Sequence, residues 1–355
     1  MARFIAKSKS EIGESPYELR YRGRQTSEPV LMRVIDYNKN SLKEATLKEF
    51  VEINGYKNTE TVTWLNVDGL NDSDLVKQIG EVFKLDRMIL SDAMNVSSRA
   101  KVQEYEECLY ASVKMIQLNE DTKEINIENL SLVILNRLLI SFQERKGDVF
   151  EPVRERIRKQ KPKIISSKTD YLAFALLDVV IDNYIYILSV LGEQIENLED
   201  ELIEDPSRDM LERISDLKRE ISFMRRNIGP AREMILAMSK IDSEFIDDDN
   251  TSVHWRELQD NITLAIETVD GYRDMLTDMM NIYHTTVSTK LNDVMKFLTV
   301  FSVVFIPITF IAGIYGTNFE YIPELRYENG YFVMWGIILL VAGGMITYFK
   351  MKKWF

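Results

Sequence analysis

A chain of 355 residues with 56 acidic and 44 basic side chains, net −12, is a poor partner for nucleic acid, and all of its acidic excess precedes residue 291. One cysteine (Cys108) and two histidines (His254, His284) exclude a disulfide framework or a Cys/His zinc site within one chain. Any metal chemistry therefore rests on oxygen ligands, a set that suits hard ions such as Mg²⁺.

The N-terminal MARFIAKSKSEIGES lacks the apolar core of a signal peptide and reads as a polar tail. Segments 30–37, 62–67, 108–117 and 125–143 are rich in Val, Ile, Leu and aromatics and read as strands, the last as two strands joined at Asn136-Arg137. Helices are expected over 41–53, 73–84 and 86–93, the second entered through Asn71 and Ser73. An exposed helix is expected over 149–160, so residues 1–165 read as an α/β domain.

From Thr169 onward the pattern is helical. One helix runs from Asp170 to Ile203 and is stopped at Pro206. A second covers 209–240, with a kink expected at Pro230 beside Gly229. Residues 166–251 thus read as a helical hairpin. A third helix starts near Ser252 and meets no breaker before Pro307, so 252–315 reads as a stalk that enters a membrane without a linker.

Two apolar runs close the chain, 297–314 and 331–349, each near the roughly 20 residues that a bilayer-spanning helix needs. Residues 316–330 link them. Lys350, Lys352 and Lys353 directly follow the second run and form a basic collar in the tail 350–355. The positive-inside rule puts that end, and with two spans the N-terminal body too, in the cytoplasm. The intervening loop, with three Glu and one Arg, then faces outside and favours cations.

One face of the first span carries Asn292, Met295, Leu298, Ser302, Ile306, Thr309 and Gly313 at steps of three and four. Its polar members either bond back to their own helix or a neighbour, or line a pore built by several copies. Lys296 can snorkel to the inner boundary, and Gly336, Gly343 and Gly344 mark the second span as an outer helix that allows close approach.

YGTNF closing the first span, YIPEL after it, a KKWF tail, DVFEPVRERIR (148–158) and TDYLAFALLDVVIDNY together resemble the CorA family of magnesium channels over nearly the whole chain. The family signature Gly-Met-Asn reads Gly316-Thr317-Asn318 here. The resemblance implies a funnel-shaped homopentamer in the cell (inner) membrane: an α/β N-terminal cytoplasmic domain, long helices and two C-terminal transmembrane helices. It implies a selectivity filter at Gly316, Thr317 and Asn318, with Asn318 holding Mg²⁺ through its hydration shell. It implies that the first-span stripe lines the pore, Ile306 standing in for a Met. It also implies regulatory Mg²⁺ held between subunits by Asp92 and Glu257, with Asp178 and Asp260 nearby; Ser91 stands where some relatives carry a second acid. Cytoplasmic Mg²⁺ would hold the pore shut.

The expected partners are other copies of the chain, the lipid bilayer and divalent cations (Mg²⁺, with Co²⁺ or Ni²⁺), and no organic cofactor is expected. The alternatives are a zinc transporter of the same superfamily and a membrane-anchored sensor that conducts nothing. No P-loop, HExxH or GxSxG pattern occurs, so an enzyme is not expected.

Overall fold

The computed structural model describes residues 13, 15, 17–23, 28–57, 59–204, 207, 209–246, 248–318, 320, 322–352 and 354. Pro206, Lys353 and most of the N-terminal tail lie outside the described residues. The chain forms two units, Met1–Glu199 with Glu212–Leu276, and Asp200–Leu211 with Thr277–Phe355.

The first unit is built on seven strands: β1 (Leu31–Tyr37), β2 (Leu42–Leu47), β3 (Val62–Asp68), β4 (Lys101–Glu104), β5 (Leu109–Leu118), β6 (Ile125–Ile134) and β7 (Leu138–Gln143). They lie in the order β2-β1-β3-β7-β6-β5-β4, and all neighbours are antiparallel except β3 and β7. The β6–β7 reversal falls at Asn136-Arg137, as the sequence reading expects. Helices α1 (Ser73–Phe83) and α2 (Arg87–Ala93) bury Val76, Ile79, Ile89 and Leu90 against Val34, Leu65, Ile140 and Phe142 of the sheet. Asp72 caps α1, accepting from Leu75 N at 3.0 Å, and Asp86 caps α2, accepting from Met88 N at 2.7 Å. The cap of α1 is thus the residue between Asn71 and Ser73.

The structure departs from the sequence-based expectation at two places. Residues 41–53 do not form a helix: 42–47 is the edge strand β2 and 50–56 a short 3₁₀ turn. SLKEATLKEF is made of good helix formers, but the Asn38 carboxamide oxygen accepts from Asn40 N and Ser41 N at 2.8 Å, which sets a tight turn and pairs β2 with β1. Pairing overrides a propensity of a few tenths of a kcal/mol per residue. The helix expected at 149–160 is α3 (Glu151–Arg158), and it is exposed on one face only: Val153, Arg154 and Ile157 are buried, while Glu151, Glu155 and Arg158 are exposed. Phe150 at its head packs edge-on against Trp64, with ring centroids 5.9 Å apart.

After the short α4 (Pro162–Ser166) come α5 (Thr169–Glu204), α6 (Met210–Met238) and α7 (Asp248–Tyr315). Pro230 lies inside α6, which continues past it. Tyr184 on α5 donates its hydroxyl to Lys114 O on β5, tying α5 to the sheet. Among the described residues, three helices are long and apolar enough to cross a membrane: α5, α7 and α8 (Gly330–Met351). Of the apolar window, 61% is buried in α5, against 0% in α7 and 11% in α8, so the apolar content of α5 is core. Among the described residues, the apolar windows of the other two helices are left largely uncovered by their own chain.

One end of the sheet carries paired acids. Glu128 Oε2 accepts from Glu144 N and Arg145 N at 3.1 Å, and Glu144 Oε1 accepts from Asn129 N at 2.6 Å, continuing the β6–β7 ladder where backbone pairing ends. Burial pushes both carboxyls up, Glu128 to about 8. A folded-state value above the unfolded one stabilises the fold in acid, and that contribution is lost as pH rises through about 8. Glu128→Gln keeps an acceptor oxygen, so it is expected to flatten the fall in melting temperature between about pH 5 and 9. Thermal melts of both proteins across that range check it; parallel curves would contradict it.

Candidate functional site

In the second unit α7 has one partly covered stripe: Val300, Val303, Val304, Pro307, Ile308, Ile311 and Tyr315. On α8 the covered stripe is Met334, Ile338, Val341, Ala342, Met345 and Phe349. Trp354, past the end of α8, packs on Phe349 with centroids 5.2 Å apart. It also lines a cavity of about 420 Å³ together with Thr289, Asn292, Asp293, Met295, Lys296 and Thr299, which brings the α8 tail back beside α7. The covered stripes are therefore the inner faces of an antiparallel pair.

At 3.6 residues per turn, Met295, Leu298, Ser302, Ile306, Thr309 and Gly313 cluster on the opposite side of α7 from its covered stripe. All six are exposed, as is Asn292 a turn below. Met295, Leu298 and Ile306 are 57%, 56% and 66% exposed, so large apolar groups stand open at spaced levels along this face. Thr309 donates back to Phe305 O at 2.8 Å, and its oxygen still presents lone pairs outward. Phe297, Phe301 and Phe305 stack at centroid distances of 6.5 and 4.4 Å on a flank between the two stripes.

The turn after α7 is ordered by its own residues. Gly316 N donates to Ala312 O at 3.1 Å. Thr317 Oγ1 donates to Ile314 O at 2.7 Å, satisfying a carbonyl that the helix end leaves open. Asn318 is exposed, and its carboxamide has no hydrogen-bond partner among the described residues. Gly336, Gly343 and Gly344 are exposed, and a Cβ on any of them would meet nothing within 4 Å, so the close approach they allow is not made within one chain. Lys350 and Lys352 are exposed, and Lys296 pairs with Asp293 at 3.3 Å.

The acids expected to hold a regulatory ion occupy two places in the first unit. Asp92 on α2 is half-buried, and its Oδ2 meets Lys101 Nζ at 2.5 Å. Ser91 is buried, and its hydroxyl donates to Glu18 O at 3.4 Å. Asp178 on α5 and Glu257 on α7 are close enough to interact, together with Asp182, which the sequence reading did not single out. Burial and then the charges of Asp182 and Glu257 push the Asp178 carboxyl up to about 6, while Arg156, 4.0 Å away, opposes them. Glu257 and Asp260 are exposed. Among the described residues no three His, Cys, Asp or Glu side chains are grouped to hold a metal ion within one chain.

A membrane protein with an α/β body, a long helix that becomes a span, and an open mixed stripe on that span is the class these features define. The chain belongs to the CorA-like Mg²⁺ transporter family, whose model matches residues 59–353. It is 34% identical over 342 residues to the cobalt/magnesium transport protein CorA of Thermotoga maritima, covering 96% of this chain and 97% of that protein. The zinc transport protein ZntB of Pectobacterium atrosepticum is 21% identical over 84% of this chain and 89% of its own length. The fold matches the CorA magnesium transporter structure from Methanocaldococcus jannaschii with a TM-score of 0.74 at 20% identity, over 93% of this chain and all of that one.

Proposed function

We propose that this chain assembles as a homopentamer in the cell membrane, with both termini in the cytoplasm, and admits Mg²⁺, with Co²⁺ or Ni²⁺ as secondary ions. The observation that carries this reading is the open face of α7, which stands opposite its covered face and ends at Asn318, exposed and with no carboxamide partner among the described residues. One helix encloses nothing, so a pore requires several copies with this face inward. Met295, Leu298 and Ile306 then form apolar rings that gate by dewetting, and Asn292, Ser302 and Thr309 form polar rings between them. Gly316, Thr317 and Asn318 form the outer filter, while Lys350, Lys352 and Lys353 make a basic collar at the inner boundary.

Uptake into proteoliposomes of the purified chain tests the reading. Mg²⁺ influx down its gradient is expected. Zn²⁺ influx that requires a proton gradient would favour the transporter alternative, and no flux of any divalent would favour a sensor.

The regulatory ion sits between subunits in this reading, with Asp92 of one chain facing Glu257 of the next, and Asp178 and Asp260 close by. Carboxylate oxygens are the ligands that Mg²⁺ prefers. Without the ion, the facing acids repel and the ring loosens. Asp92→Ala and Glu257→Ala are each expected to leave influx intact and to raise the Mg²⁺ concentration that inhibits it by about tenfold or more. Influx measured against Mg²⁺ on the side of the α/β body checks this; inhibition curves that coincide with those of the unchanged protein would rule out both residues.

A further inference from the structure

The chain carries a net charge of −12, yet one cleft of the first unit is cationic. It has a volume of about 340 Å³ and opens where the β1–β2 turn, the β6–β7 turn and the α4–α5 connection meet. Among the described residues, Lys39, Arg137 and Lys168 line it with one acid, Glu60. The Arg137 guanidinium donates to the backbone oxygen of Glu60, which anchors it and leaves its other N–H groups unused by that bond. Asn38 also lines the cleft. Its carboxamide oxygen is occupied by Asn40 N, Ser41 N and Ser41 Oγ at 2.8 to 3.0 Å, so its two N–H donors are left for the cleft. Tyr37 forms part of the wall, fully buried, and its hydroxyl has no partner among the described residues.

A planar guanidinium, the Lys39 ammonium and a carboxamide donor around one opening match an oxyanion with several acceptor oxygens. We infer that this cleft binds phosphate or a short polyphosphate, the chemistry shared by the free anion and the tail of a nucleotide. A second cleft of about 530 Å³ shares Asn136 and Arg137 with the first and adds the rings of Tyr56, Phe83 and Phe245. Its size falls within the range of small-molecule sites, and its rings suit a base. A nucleotide would straddle Arg137, with its phosphates in the first cleft and its base in the second. Phosphate oxygens are themselves good Mg²⁺ ligands, so an occupant would link a Mg²⁺ carrier to the chelators around it; the binding itself does not depend on that reading.

Calorimetric titration of the full-length chain in detergent, in EDTA and without divalent ions, tests the site with inorganic phosphate, tripolyphosphate and ATP. Tripolyphosphate is expected to bind at one site per chain and more tightly than phosphate, and Arg137→Gln with Lys39→Gln to weaken it by about tenfold or more. Lys77→Gln with Lys146→Gln removes as much charge elsewhere and is expected to leave binding unchanged. ATP binding tighter than tripolyphosphate places a nucleoside in the second cleft, and equal binding identifies the polyphosphate alone as the ligand. Both double variants alter exposed side chains, and circular dichroism verifies that they fold. Absence of binding to the unchanged protein, or equal weakening in the two double variants, would overturn the inference.

Discussion

Replacing Asn318 by alanine is expected to abolish Mg²⁺ influx while the protein still assembles. Mg²⁺ releases its water reluctantly and keeps much of its hydration shell when bound. A filter for such an ion therefore accepts hydrogen bonds from water rather than offering direct ligands. A carboxamide oxygen does this, and Asn318 is exposed with that oxygen unused among the described residues. Alanine removes the acceptor from every copy at once. Hydrogen bonds to charged groups contribute about 1.5–3 kcal/mol, and about 1.4 kcal/mol is tenfold in occupancy, so the loss is at least about tenfold even if one bond matters. Thr317→Met is the companion variant. The Thr317 hydroxyl is turned back onto Ile314 O, so it closes the helix end rather than facing the ion. Met cannot make that bond, and the expected result is retained Mg²⁺ influx with a changed order among Co²⁺, Ni²⁺ and Zn²⁺. Uptake of each ion into proteoliposomes measures both variants. Unaltered influx in Asn318→Ala would remove this residue from the filter.

The outer elements were legible where a single period governs them. The steps of three and four that pick out the α7 stripe also place it opposite the covered face, because a long unbroken helix carries its phase without correction. β1, β3 and the β6–β7 reversal were legible from β-branched runs and their boundary. β2 was not, because LKEATL is an exposed edge strand whose side chains carry no core signal, and what makes it a strand is the Asn38 turn and its pairing with β1. β4 escaped for the same reason, being four mainly polar residues at the opposite edge. α5 shows the reverse problem: its apolarity matches that of a membrane span, and only its burial marks it as core. At the acidic site, Asp178 and Glu257 were found through a resemblance, whereas Asp182 needs the packing of α5 beside α7, which no local pattern carries. The basic cleft is assembled from three turns far apart in sequence, in a body whose net charge points the other way.

Asp148→Ala is expected to cause the largest loss of stability among single substitutions in the α/β unit. Asp148 is 2% exposed at its side chain and accepts from both terminal nitrogens of Arg154, at 2.7 and 2.5 Å. It also accepts from Arg33 at 2.8 Å and from Phe150 N at 3.0 Å, so it heads α3 as well as pairing charges. Arg33 in turn bridges to Asp68 at 2.7 Å, and Arg154 lies 5.0 Å from the ring of Trp64. One buried cation, Arg154, and one half-buried cation, Arg33, are thus paired with two buried carboxylates where α3 meets the sheet. Truncation leaves Arg154, itself 5% exposed, with its main partner gone. Breaking a buried pair in this way costs about 3–5 kcal/mol, a large share of the roughly 5–15 kcal/mol that keeps a domain folded. The acid limb of the stability curve follows from the same residues. Burial pushes the Asp148 carboxyl up, but the hydrogen bonds and charge of Arg154 outweigh it and hold the group below its ordinary value. A depressed carboxyl contributes stability above its unfolded value, and that contribution is lost as pH falls through the folded one. Asp68 works in the opposite sense: burial first, with Arg33 opposing, raises it to about 6, so its share declines as pH rises through that value. In Asp148→Ala the acid limb should flatten. Asp148→Asn keeps the size but not the charge, and is expected to fall between the variant and the unchanged protein. Thermal unfolding followed by tryptophan fluorescence, with Trp64 beside Arg154 as a reporter, decides the matter. A melting temperature for Asp148→Ala within error of the unchanged protein would show that Arg33, Asp68 and Arg154 hold α3 without it.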